Sequence, residues 1–103
     1  MAPFKQLYVY IAECSDESFY TGVTNDFNRR IDEHNSEKNY NSYTFSRRPV
    51  TLKYIEPFRD FNSAIAREKQ IKGWSRAKKL ALINGNINLL KQLSNRKNID
   101  KRE

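Results

Sequence analysis

The sequence predicts an α+β domain, a small sheet with helices packed on it, in the order ββαβαα(α). Three features point to it. Side chains alternate with period two over residues 7–12, two further short strand-like runs follow, and the second half carries polar-capped segments with helical spacing.

In Leu7-Tyr8-Val9-Tyr10-Ile11-Ala12, Leu7, Val9 and Ile11 point to one face and Tyr8 and Tyr10 to the other, giving a strand an aliphatic and a phenolic side. Ser15-Asp16-Glu17-Ser18 is a polar turn, and Phe19 to Val23 returns as the second strand of an antiparallel hairpin. Thr24 or Asn25 is expected to cap a helix reaching about Asn35, with Asp26 favourable in its first turn. On that helix Phe27 and Ile31 pair at i, i+4, and Arg30 and His34 pair beside them. Residues 36–49 form a long polar loop ending Phe45-Ser46-Arg47-Arg48-Pro49, and loops of that length in a small domain are usually functional or mobile. Thr51 to Phe58 reads as a third strand that Pro57 places at an edge. Asn62 or Ser63 is expected to start a helix that Gly73 stops, and Ser75 to cap another reaching Asn84-Gly85. A last short helix through Leu89, Leu90 and Leu93 completes a single domain over residues 1–94, and residues 95–103 are expected to be a disordered polar tail.

With 103 residues, 38% hydrophobic and 13% aromatic, the chain can bury one core and has no room for a second. The net charge of +7 is unevenly placed: eight basic and nine acidic residues precede Arg67, and eleven basic and three acidic follow from it. The second half therefore carries the whole positive field, which suits a polyanionic partner. Cys14 is alone, which excludes an internal disulfide and a Cys-rich zinc site. No apolar run approaches a membrane span and no signal-type segment opens the chain, so no membrane partner and a cytoplasmic location are expected.

One residue breaks the pattern. At 100° per residue Phe61, Ala64, Ile65 and Ile71 fall within about 60° of Glu68, so a carboxylate sits in the middle of an apolar stripe. A buried carboxylate needs a cation, a strong donor or a metal, and a structural salt bridge to an arginine answers that need as well as a functional site does. Tyr8 and Tyr10 suit sheet-edge packing, and His34 a packed or solvated position, as readily as catalysis. Arg47 and Arg48, interleaved with Tyr40, Tyr43 and Phe45, suit either base stacking or a loop pinned to the core.

Taken together these residues resemble the GIY-YIG nuclease superfamily, and most of all its small stand-alone bacterial members, related to the nuclease domain of the excinuclease incision subunit. Tyr8-Val9-Tyr10 matches the first motif, with Tyr8 where many members have glycine, and Tyr20-Thr21-Gly22 matches the second. Arg30-Ile31-Asp32-Glu33-His34-Asn35, Arg47-Arg48-Pro49-Val50 and the run from Ala64 through Glu68 to Ser75 follow in order. The likeness covers roughly residues 7–84.

The resemblance implies a three-stranded antiparallel sheet flanked by helices and a phosphodiesterase site around one divalent ion, Mg²⁺ or Mn²⁺. By position the site comprises Tyr10, Tyr20, Arg30, His34 and Glu68, with Glu68 as the metal ligand and Tyr8, Gly22 and Asn35 in support. Tyr10 ranks first as general base by family position, on condition that Arg30 or the metal lowers its pKa from about 10; His34 is its partner and, by intrinsic pKa, the competing base, and Tyr20 orients water or phosphate. The implied partner is DNA, contacted mainly at phosphates by Arg47, Arg48, Lys69, Lys72, Arg76, Lys78 and Lys79, with Arg67 beside them, and a protein partner would supply specificity. Two departures stand out. Val23 replaces a lysine that often follows the second-motif glycine, and Leu80 stands where some members have asparagine, with Asn84 nearby. Both departures weigh toward weak activity, or toward the alternative of a non-catalytic nucleic-acid-binding module on the same fold, more than in a complete family member.

Overall fold

The computed structural model describes residues 6–36 and 43–102, with side chains as far as Ser94. Tyr40 lies outside the described residues. Strand β1 (Leu7–Glu13) is the middle of a three-stranded antiparallel sheet, between β2 (Phe19–Thr24) and β3 (Thr51–Phe58). The hairpin is as predicted, and Pro57 lies on an edge strand, the place in a sheet that tolerates a residue without an N–H.

Val9 through Ala12 are all buried, because both faces of β1 are covered. On the phenolic face Tyr10 and Ala12 pack with Cys14 and Val50, joined by Tyr20, Leu52 and Ile31 of helix α1 (Phe27–Asn35). The aliphatic face looks toward helix α2 (Phe61–Lys72). Glu56, the cross-strand neighbour of Val9, is ion-paired with Arg67 of α2 at 3.2 Å, and Leu7 and Val23 share a groove with Phe61 and Ile65.

Two helix starts differ from expectation. The cap of α1 is Asp26, not Thr24 or Asn25: its carboxylate accepts from Arg29 N–H at 3.1 Å, while Thr24 Oγ1 accepts from Asp26 N–H. Helix α2 begins at Phe61 because Asp60 Oδ2 accepts from both Ser63 N–H and Ser63 Oγ–H at 2.8 Å. In both places a carboxylate one or two residues away outcompetes the neutral candidate for the first free N–H groups.

Among the described residues of the long loop is a 3₁₀ turn, Phe45–Arg47, followed by a cis Arg48-Pro49 bond. Asn35 fastens its far end, accepting from Val50 N–H at 2.7 Å and donating to Val50 C=O at 3.0 Å. A side-chain amide thus stands in for a strand partner at the threshold of β3.

The chain packs as two compact units that divide between Lys72 and Gly73. In the second, α3 (Arg76–Ile83) is capped by Ser75 Oγ, which accepts from Lys78 N–H, and packs against α4 (Ile87–Arg102). Gly85 joins them at φ +69°, a conformation open to glycine and strained for other residues. The backbone of α4 runs helically through residues 95–102.

Candidate active site

The phenolic face of the hairpin places two tyrosines side by side. Register puts Tyr10 opposite Gly22 and Ala12 opposite Tyr20, all on one face. The Tyr10 ring lies across Gly22 so closely that a Cβ there would stand 2.6–2.8 Å from the Tyr10 hydroxyl and ring carbons. At 1% exposed the ring has nowhere to retreat, which gives the second-motif glycine its physical reason.

Helix α1 supplies the partners. The Tyr10 hydroxyl is 2.8 Å from His34 Nε2, and His34 Nδ1 is 2.9 Å from Thr44 Oγ1. His34 and Thr44 are buried at 2% and 0% exposed, so the imidazole and the threonine hydroxyl are withdrawn from bulk solvent. Tyr20 packs edge-on against His34 with ring centroids 4.7 Å apart, and Tyr43 lies against the other side of Tyr20 at 6.1 Å. Arg30, one turn before His34, sits beside the Tyr10 and Tyr20 hydroxyls and donates to Glu33 Oε1 at 3.0 Å.

The electrostatics bear on the Arg30 half of one expectation. Burial, with Tyr20 adding to it, pushes the Tyr10 phenol up to about 12, and the opposing pull of Arg30 does not prevail. Tyr10 is a protonated phenol, not an acidified one. Burial, and then the charge of Arg30, brings His34 down to about 4, so the imidazole is neutral at ordinary pH. Burial alone would disfavour the Arg30 charge, but Glu33 and the two tyrosine hydroxyls hold its pKa above the usual guanidinium value.

Glu68 is buried at 8% exposed between Ala64 and Ile71, as its place in the stripe requires. Its partner is not an arginine: Lys72 Nζ lies 2.9 Å from Glu68 Oε2, one turn along α2. The Lys72 ammonium is in turn within electrostatic reach of Tyr20, which ties Glu68 to the tyrosine cluster through the lysine. Among the described residues no three His, Cys, Asp or Glu side chains converge as a metal cage. Any ion here would rest on one carboxylate and complete its shell with water and substrate oxygens, as Mg²⁺ does.

Tyr10, Tyr20, Arg30 and His34 thus form one contiguous cluster, with Glu68 approaching through Lys72. The supporting residues have structural work: Tyr8 packs edge-on against Phe27 at 4.9 Å, and Asn35 clamps Val50. The basic set divides. Arg47 is spoken for, stacked 3.9 Å over Tyr43, paired with Asp16 at 3.1 Å and donating to Tyr43 C=O. Arg48 stacks 4.1 Å over Phe45 and donates to its carbonyl. Lys69 is exposed on α2. Arg76, Lys78 and Lys79 are on α3, with Lys78 lying over the Trp74 ring at 4.4 Å, and Asn84 ends that helix as its C-cap. Two participants escape sequence reasoning. Thr44 is one threonine in a polar loop, and Glu33 is one of two acidic residues between Asp26 and His34, so neither carries a pattern.

The whole arrangement has relatives. A family model described as the GIY-YIG catalytic domain matches residues 6–81. A UPF0213 protein from Syntrophus aciditrophicus is 51% identical over 79 residues, covering 77% of this chain and 91% of that one. Another from Staphylococcus aureus is 46% identical over 76 residues, covering 74% and 92%. The solution NMR structure of the UPF0213 protein BH0048 from Bacillus halodurans superposes with a TM-score of 0.50 at 42% identity, covering 77% of this chain and 83% of that one. With both motif tyrosines, the α1 arginine and the α2 glutamate inside the matched segment, the chain belongs to the GIY-YIG family, a family of nucleases.

Proposed function

We propose that this protein is a metal-dependent endonuclease that hydrolyses phosphodiester bonds in DNA. The observation that carries the reading is the buried bond of 2.8 Å from Tyr10 to His34, set beside the Arg30 guanidinium. Hydrolysis needs a proton acceptor for the attacking water and fixed donors for the charge that builds on phosphate.

A phenol that holds its proton up to about 12 can take a second one only by passing its own along. His34, neutral above about 4, is placed to receive it. With the ring's proton on Nδ1 and donated to Thr44 Oγ1, the Nε2 lone pair faces the Tyr10 hydroxyl. As the water oxygen bonds to phosphorus, its proton moves to the Tyr10 oxygen and the Tyr10 proton moves to Nε2. Tyr10 ends neutral, His34 ends as imidazolium, and the bond from phosphorus to the leaving oxygen breaks, that oxygen taking its proton from solvent water. Negative charge on the phosphate offsets the cost of an imidazolium near Arg30. Arg30 meets that charge with guanidinium donors, each typically worth about 3 kcal/mol in such a transition state.

Glu68 would hold the ion, Mg²⁺ or Mn²⁺, and Lys72, on a largely exposed side chain, is a replaceable partner for its carboxylate. When bound, the ion supplies Lewis acidity at the scissile phosphate. Exposed Lys69 and the α3 cations add phosphate contacts, and a protein partner would supply sequence or structure selectivity. The binding-module alternative draws on Val23 and Leu80, which remove two polar groups common in the family.

Nicking of supercoiled plasmid in Mg²⁺, Mn²⁺ or EDTA tests the proposal. Wild type should nick only with metal, Glu68→Ala should fall to the EDTA background, and Tyr10→Phe should lose about 10²- to 10⁴-fold. Binding without nicking in any metal would give the molecule to the alternative.

A further inference from the structure

Phe61 stands apart from the rest of the α2 stripe. Ala64, Glu68 and Ile71 are buried, yet Phe61, two turns before Glu68, is 62% exposed. A lone exposed ring needs no explanation, but this one lines a groove of about 510 Å³ where β2 runs into α1. That volume falls in the range of about 300–1,000 Å³ typical of small-molecule sites. One wall is apolar, made by Leu7, Val23 and Ile65 with Phe61. The other carries Arg29 and Arg30. Arg30 also touches the tyrosine cluster, so one guanidinium serves both the groove and the candidate active site.

We infer that this groove is a nucleobase subsite, which takes the base of a nucleotide next to the scissile phosphate, stacked on Phe61. An apolar wall facing two guanidinium groups matches a nucleotide: a flat π surface for the wall and a phosphate for the cations. Glu33 lies 3.0 Å from Arg30 and 3.9 Å from Arg29, marking where an anion sits between them. Val23 fits the same picture. Where a lysine would extend a charge, valine extends the apolar wall. A base can present its face to Phe61 only when it is out of the duplex stack. The subsite therefore selects single-stranded or locally unpaired nucleic acid. It deepens the nuclease reading and rests on it for the position of the scissile phosphate.

The test is fluorescence anisotropy with a short single-stranded DNA and the blunt duplex of the same sequence, across a salt series, with Mg²⁺-dependent cleavage measured alongside. Wild type should prefer the single strand. Phe61→Ala should weaken single-strand binding on the order of ten- to a hundredfold at every salt concentration without changing the salt slope, since stacking releases no counterions. Phe61→Trp should restore it, and duplex binding should not move. Circular dichroism checks that the exposed substitution leaves the fold intact. Unchanged single-strand binding by Phe61→Ala overturns the subsite, even if cleavage is seen. A Phe61 effect without cleavage by wild type keeps the subsite and overturns the nuclease reading. If wild type binds neither DNA, both fall.

Discussion

His34 folds as a neutral base. Its ring is 2% exposed, and burial with the nearby Arg30 charge takes its pKa from about 6.5 to about 4. Between those values the unfolded chain binds a proton that the native state refuses, so stability is complete above about pH 6.5 and falls as pH drops toward 4. The loss reaches about 3 kcal/mol at most. Urea midpoints measured across this window should decline for wild type, and the decline should flatten in His34→Gln. The same displacement puts the acid limb of kcat/KM near 4; an inflection near 6.5 would mean a solvated imidazole. The residue types at the site were legible in the sequence, but their protonation was not. Arg30 alone does not acidify Tyr10, because burial, which spacing does not report, outweighs one cation.

Among elements, the β1–β2 pairing matters most for the site, because Gly22 leaves the space in which the Tyr10 ring lies. Gly22→Ala should displace the ring, break the bond to His34 and lower activity at least about a hundredfold, while destabilising the fold by about 1–3 kcal/mol. Denaturant melts paired with plasmid nicking would check it, and a fully active Gly22→Ala would show that the hydroxyl position is not critical. Strands and helices were readable at this scale, since period two and helical spacing are written in the side chains. The capping residues shifted to Asp26 and Asp60, because which of several adjacent acceptors takes the first N–H depends on loop geometry. Phe61 misled for a related reason: helical phase predicts a face but not where the neighbouring sheet ends.

For the molecule as a whole, charge sets how affinity responds to salt. DNA binding should weaken steeply with ionic strength, with a log–log slope that counts displaced counterions. The structure divides the cations for that count. Arg47 already serves Asp16 and Tyr43, so Arg47→Ala should loosen the loop yet leave the slope nearly unchanged. Exposed Lys69, replaced by alanine, should reduce the slope by about one. Composition locates the basic half but does not separate exposed cations from those engaged within the loop, because the difference is one of neighbours.

The Tyr10 ring belongs to the core and to the cluster at once. A lineage abandoning the chemistry would still have to fill that space, so the aromatic ring is protected by folding long after selection on cleavage lapses. Only the hydroxyl is expendable, and phenylalanine is a single codon step from tyrosine. On the proposed reading, one short path from enzyme to inert scaffold is therefore the loss of one oxygen atom, with the outline of the motif left standing.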